Sequence, residues 1–158
     1  MILGKKRKIG RKIEEMSVGE KLKLTEKVED KDLLLYLGLT NDGNPLYIQH
    51  DFASKTKFEK PIVPTIMLTG IVTSAASKYL PGPGSHVIAQ EFKFPNAVYH
   101  YETIDIQFEV TSVNAEDNTV VIDVQAVNED EKVVISGSMT VHPPQIIDRL
   151  ISEAMNNF

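Results

Sequence analysis

The chain has 158 residues, of which 42% are apolar and 25% charged, with a formal net charge of −5. That is enough chain for one substantial core and an ordinary globular balance, so neither a second domain nor a strongly basic protein is indicated. No cysteine occurs, which excludes disulfides, thiolate nucleophiles and cysteine-type zinc sites.

Residues 1 to 15 form a basic N-terminal arm: Lys5, Lys6, Arg7, Lys8, Arg11 and Lys12 precede the first acid, Glu14. Its plainest reading is a solvated arm, although clustered cations also suit the phosphates of CoA, an acidic carrier protein or a nucleic acid. Such a short arm holds no complete helix-turn-helix, so nucleic acid is not an expected partner. Residues 16 to 144 are read as one domain. Leu22, Leu24 and Val28 among Lys and Thr mark a first strand, and residues 30 to 39 a helix begun by acids. Asn41-Asp42-Gly43-Asn44-Pro45 is a strong turn signal: Asp and Asn bond their own backbone, Gly accepts positive φ, and Pro fixes the exit. His50 is expected to begin a short helix that carries Phe52 and Ala53.

From about 65 to 80 the residues Ile66, Met67, Leu68, Ile71, Val72, Ala75 and Ala76 occupy most of a helix circumference, which predicts a helix buried on nearly all sides. Pro64 suits its first position, where a missing N–H costs nothing. Pro81-Gly82-Pro83-Gly84 ends it. Period-two alternation then predicts strands through Ile104–Val110, Val120–Ala126 and Val133–Val141, turning at Ala115–Asn118 and Asn128–Lys132. A helix followed by antiparallel strands argues an α+β fold with segregated elements. After Pro143-Pro144, the apolar stripe Ile146, Ile147, Leu150, Ile151 and Ala154 predicts a C-terminal helix over residues 145 to 158.

No apolar run reaches the ~18 residues of a membrane helix, and no signal-peptide pattern opens the chain, so a cytoplasmic location is the expectation. The histidines at 50, 86, 100 and 142 lack metal-ligand spacing, and no metal is assigned.

The run from Asp42-Gly43-Asn44-Pro45-Leu46-Tyr47 through Asp51-Phe52-Ala53, Thr56, Phe58, Lys60-Pro61-Ile62-Val63 and Met67-Leu68 resembles the loop and central helix of MaoC-like (R)-specific enoyl-CoA hydratases. Leu80-Pro81-Gly82-Pro83-Gly84-Ser85 and Phe92-Lys93-Phe94 follow in the same order, and an ordered series is more specific than any single motif. The resemblance implies a hot dog fold, a long antiparallel sheet wrapped around a central helix. It also implies a homodimer or larger assembly, joined at the one open sheet edge.

In that family the loop reads Asp-x-Asn-Pro-x-His, and its Asp and His activate the water added to an enoyl thioester. Here Asp42 matches the acid/base Asp and Asn44 the loop-shaping Asn, whereas Tyr47 stands in place of the His. A neutral imidazole accepts a proton near pH 7; a phenol, with an ordinary pKa near ~10, is already protonated there. His50 falls three residues past the expected position. Pro64-Thr65 replaces the family's His-Gly at the helix start, yet the Thr65 N–H can still serve the thioester oxygen as it becomes negative. Ile66 and Leu68 are candidates for lining the acyl tunnel, with core packing the alternative.

Three function classes follow. The leading one is a hydratase or dehydratase of 2-enoyl/3-hydroxyacyl thioesters carried on CoA or an acyl carrier, with altered catalysis, a thioesterase being a variant of it. The second is a noncatalytic thioester-binding protein, or a partner subunit that needs a second protein to supply the base. The third is an acyl-CoA-sensing regulator. None requires a further cofactor.

Overall fold

A computed structural model describes residues 9–145. The C-terminal helix expected after residue 145, and residues 5–8 of the basic arm, lie outside the described residues.

Five antiparallel strands form one sheet: β1 (Lys21–Lys27), β2 (His86–Lys93), β3 (Thr103–Asn114), β4 (Thr119–Val127) and β5 (Val133–His142), in the spatial order β1-β3-β4-β5-β2. Four helices precede the long strands: α1 (Asp30–Thr40), α2 (Pro45–Ile48), α3 (His50–Ala53) and α4 (Thr65–Lys78). The α+β hot dog arrangement expected from the resemblance is present, with α4 as the central helix.

The core lies between α4 and one face of the sheet. On β3, Ile104, Ile106, Phe108 and Val110 are buried while Asp105, Gln107, Glu109 and Thr111 are exposed, the alternation of a strand with one wet face. β4 repeats it with Val120, Ile122, Val124 and Ala126. β5 departs from the expected alternation, because Val134 and Ile135 are both buried. The register shifts there, Ala126 facing Ile135 and Val127 facing Val133. A bulge of this kind inserts one residue and resets the period.

Among the described residues the central helix is not enclosed on nearly all sides. Leu68, Val72, Ala75 and Ala76, at helical spacing, face the sheet and are buried. Thr65, Ile66, Gly70 and Ser77 are exposed, Ile66 by 54%. Nor does the sheet show one free edge: among the described residues β1 and β2 are both unpaired on their outer sides. β1 carries Lys21, Lys23 and Lys27, a common protection for an edge. β2, which periodicity did not predict, is the second edge.

The described end of the basic arm is tied to the fold by its backbone, while the Lys12 side chain is exposed. Gly10 N–H donates to the Pro83 carbonyl (2.7 Å) and Arg11 N–H to that of Pro81 (3.0 Å). The Arg11 side chain pairs with Glu20, and Ile13 and Met16 enter the core.

One glycine is required by contact. Gly137 on β5 faces Phe92 on β2, and a Cβ there would collide with the backbone carbonyl of Glu91. Gly137→Ala should therefore force β2 off the sheet. The expected loss is about 3 kcal/mol or more, at the top of the overpacking range, read as a lowered midpoint in urea denaturation.

Candidate functional site

The site begins where α1 ends. Asn41 adopts the left-handed conformation (φ 53) and its N–H bonds the Leu37 carbonyl, closing the helix. The positive φ expected of Gly43 is thus taken two residues earlier, by Asn41. The chain then folds back, so that the Tyr36 hydroxyl donates to Asp42 Oδ2 (2.7 Å). The Asn44 N–H donates to Asp42 Oδ1 (3.1 Å). Asn44 Oδ1 in turn accepts from Leu46 N–H (3.0 Å) and caps α2, with Pro45 as its first residue. The Asp42 carboxylate is therefore held by a phenol and a backbone amide. The bond to Asp42, and then burial, push the Tyr36 hydroxyl above its ordinary value of 10.0.

Tyr47 is fixed through the backbone beside it. Ile62 N–H donates to the Leu46 carbonyl (3.2 Å), and Ile62 also forms an antiparallel bridge with Tyr99. Val63 N–H continues the pairing to the Val98 carbonyl (2.8 Å). One extended segment thereby brings the 42–47 loop, the entry to α4 and residues 98–101 together. Pro64 is the residue before α4, not its first residue, and it is buried. Thr65 is the first helical residue and is exposed; no side chain caps this helix. Its N–H has no acceptor within the helix and makes no backbone hydrogen bond among the described residues.

A cavity of about 550 Å³ opens at this junction, lined by Leu33, Leu34 and Leu37 of α1, by Tyr47, His50 and Pro61, and by Tyr99, His100 and Tyr101. Asp30 and Lys60 supply its charges. His100 is the unusual member: its side chain is only 12% exposed, and neither ring nitrogen has a hydrogen-bond partner. Its Nδ1 lies 3.7 Å from Asp30 Oδ1. Burial holds the imidazole below its ordinary 6.5; the Asp30 charge opposes this, His50 adds to it, and the Ile62 backbone weakly opposes it without completing a hydrogen bond.

A second cavity, about 320 Å³, runs beside α4, walled by Leu24, Val28, Leu35, Met67, Ile71 and Tyr79 among others. Ile66 and Leu68 are not among the residues that line it. Leu68 is packed in the core and Ile66 stands on the open face. Among the described residues no set of three or more His, Cys, Asp or Glu side chains is arranged to hold a metal.

Sequence reasoning named Asp42, Asn44, Tyr47 and Thr65 as candidates and did not name Tyr36, Asp30 or His100 as site residues. Tyr36 sits six residues before Asp42, a spacing no local rule links. His100 meets Asp30 only through contacts that cross the fold.

The buried imidazole makes stability depend on pH in a definite sense. Its folded pKa lies below the ordinary 6.5, so below that pH the unfolded chain takes up a proton that the folded chain resists. This contribution is complete above 6.5 and is lost as pH falls towards the folded value. His100→Gln should flatten that acid-side slope relative to wild type, as read from urea midpoints taken across the range.

Residues 12–132 match the MaoC like domain family. The (R)-specific enoyl-CoA hydratase of Rhodospirillum rubrum is 29% identical over 131 residues, covering 83% of this chain and 90% of that protein. The (R)-specific enoyl-CoA hydratase of Aeromonas caviae is 25% identical over 129 residues, covering 82% of this chain and 96% of its own. Among solved structures, the unliganded R-hydratase PhaJ1 of Pseudomonas aeruginosa superposes with a TM-score of 0.79 at 24% identity, over 87% of this chain and 88% of that one. At that identity the structural likeness speaks for the fold alone.

Proposed function

We propose, from the premise that the chain belongs to the MaoC-like domain family, that it adds water to a 2-enoyl thioester or removes it from the 3-hydroxyacyl form. The observation that carries this reading is the ordered junction of the Asp42 loop with the start of α4. A carboxylate fixed by two donors and the first N–H of α4 at Thr65 stand on the two chain segments that the pairing of Ile62 with Leu46 ties together.

Hydration needs a group to orient and deprotonate water, and donors for the oxygen on which charge develops. Asp42 takes the first task as an acceptor that holds the water. The Thr65 N–H takes the second, and the free N-terminus of α4 favours a developing anion. The cavity beside α4, with Met67 and Ile71 in its wall, suits an apolar acyl chain whose thioester lies near Thr65. The carrier, CoA or an acyl-carrier protein, stays outside.

Tyr47 is the feature that favours a second reading. With a phenol where the family has an imidazole, the scaffold can bind thioesters without turning them over, either alone or beside a catalytic subunit. Crotonyl-CoA hydration, followed as loss of enoyl absorbance, separates the two. Under the enzyme reading wild type is active and Asp42→Asn loses about 10²–10⁴ in rate, the scale of a general acid–base group. A silent wild type that gains activity on Tyr47→His assigns the binding role instead.

The same reading includes assembly. α1 buries none of its side chains fully, and Leu34, Leu35 and Leu39 are 69%, 74% and 86% exposed. Together with Ile66 they form apolar surface that soluble monomers rarely leave open. A second copy, or a homologous partner, covers it under this proposal. Light scattering should then give twice the chain mass; a monomer at micromolar concentration would contradict it.

A further inference from the structure

We propose that His100 supplies the imidazole that position 47 lacks: it is the base that takes the proton from the added water, with Asp30 as its positioning residue. This deepens the hydratase reading and rests on it.

The placement comes from the backbone. Leu46 and Tyr99 are both tied to Ile62, so the residues that follow them, Tyr47 and His100, line the same cavity. A base need not come from the loop position if the fold delivers an imidazole to the same chamber. His100 arrives from the far side, and its own segment is held firmly. Tyr101 N–H donates to the Val28 carbonyl (2.6 Å) and Val28 N–H to that of Glu102 (3.1 Å). Tyr101 itself adopts a left-handed φ of 69, a conformation costly for a non-glycine residue and kept only where its surroundings enforce it.

The chemistry of the ring points the same way. A histidine kept only for packing satisfies at least one nitrogen, yet both nitrogens of His100 are buried without a partner. Asp30 opens α1 with one oxygen bonded by the Tyr101 hydroxyl (2.8 Å) and the other 3.7 Å from His100 Nδ1. That geometry favours the proton on Nδ1 and leaves the lone pair on Nε2. The titratable groups facing the ring are Asp30 of α1, Tyr47 of α2, His50 of α3, Lys60 before α4, and Tyr99 and Tyr101 of its own segment. Asp30 favours the charged form; burial and His50 favour the neutral one, the state a base requires. His50 is the weaker candidate, being exposed and in no ion pair with a carboxylate among the described residues. Nε2 is shut off from bulk water in this state, so the proposal requires substrate and water to open the chamber on the Nε2 side while Asp30 keeps its place at Nδ1.

The step balances on one residue. Water, held by Asp42, gives a proton to His100 Nε2 as its oxygen bonds C3 of the enoyl thioester. The C2=C3 π electrons move to C2 and the thioester carbonyl, whose oxygen the Thr65 N–H receives. The imidazolium then returns the proton to C2, leaving the 3-hydroxyacyl thioester and a neutral ring.

The test is the pH dependence of crotonyl-CoA hydration by wild type, His100→Gln, His50→Gln and Asp30→Asn. His100→Gln should lower kcat by about 10²–10⁴ with little change in KM. Asp30→Asn should leave a folded, active protein whose acid limb in kcat/KM lies at lower pH, because the charge that favours imidazolium is gone. An active wild type with an undiminished His100→Gln overturns the assignment to His100 and leaves the hydratase reading standing. So does a loss confined to His50→Gln. Should His100→Gln fail to fold, Asp30→Asn decides, and an unmoved acid limb overturns the proposal. A wild type that does not hydrate crotonyl-CoA overturns the proposal together with the reading beneath it.

Discussion

The short pairing around Ile62 is the constraint on which the candidate site depends. Its N–H reaches back to Leu46 and its strand-like backbone pairs with Tyr99, while Val63 bonds Val98. Three connections, each of which would otherwise run over the surface, are thereby fixed to one another. Backbone hydrogen bonds suit this task because their geometry is narrow, and breaking one inside a covered region leaves two polar groups without partners. Val63 and Val98 are almost fully buried, so the pairing is roofed by apolar packing. Tyr47, His100 and the start of α4 owe their proximity to this segment.

The long regular elements were legible in the sequence because their periodicity comes from burial. β3 and β4 alternate with period two since one face meets α4 and the other meets water. α1 began where its acidic first turn placed it, and α3 began at His50, where the family resemblance placed it. β2 was not legible: His86–Lys93 has few buried positions, and an edge strand held by β5 on one side only leaves no clean alternation. The Val134 bulge was also hidden, because a register shift is decided by the partner strand. At the site, Asp42, Asn44 and Thr65 were readable because loop chemistry and helix termini have local signatures. Asp30 with His100 had none, since a contact between residues 30 and 100 exists only after the sheet has formed.

The openness of α4 and α1 comes from the size of the sheet. Five strands can cover one side of a helix, and Leu68, Val72, Ala75 and Ala76 use that side fully. Periodicity counts apolar residues around a helix but does not say which molecule covers them, so an almost fully apolar helix reads as buried even where its second cover is another chain. Ile66 and the leucines of α1 carry that ambiguity. Their apolar area, each side chain worth roughly 1.5–3 kcal/mol when fully removed from water, favours association over an exposed monomer.

Under the proposed function, Tyr47 in place of an imidazole changes the chemistry more than the fold. A phenol fills much of the space of an imidazole and leaves the loop intact, since Asn44 still caps α2 and Ile62 still holds Leu46. What is lost is a proton acceptor near pH 7. Asp42 does not replace it alone, because its two oxygens already accept from Tyr36 and Asn44, an arrangement suited to holding water. A neutral imidazole elsewhere in the chamber resolves the conflict, and burial is the means by which this fold keeps one neutral. The cost of leaving both His100 nitrogens without partners, about 1–3 kcal/mol for each group left unmade, is then offset only when substrate and water occupy the cavity. Such strain is stored where function needs it.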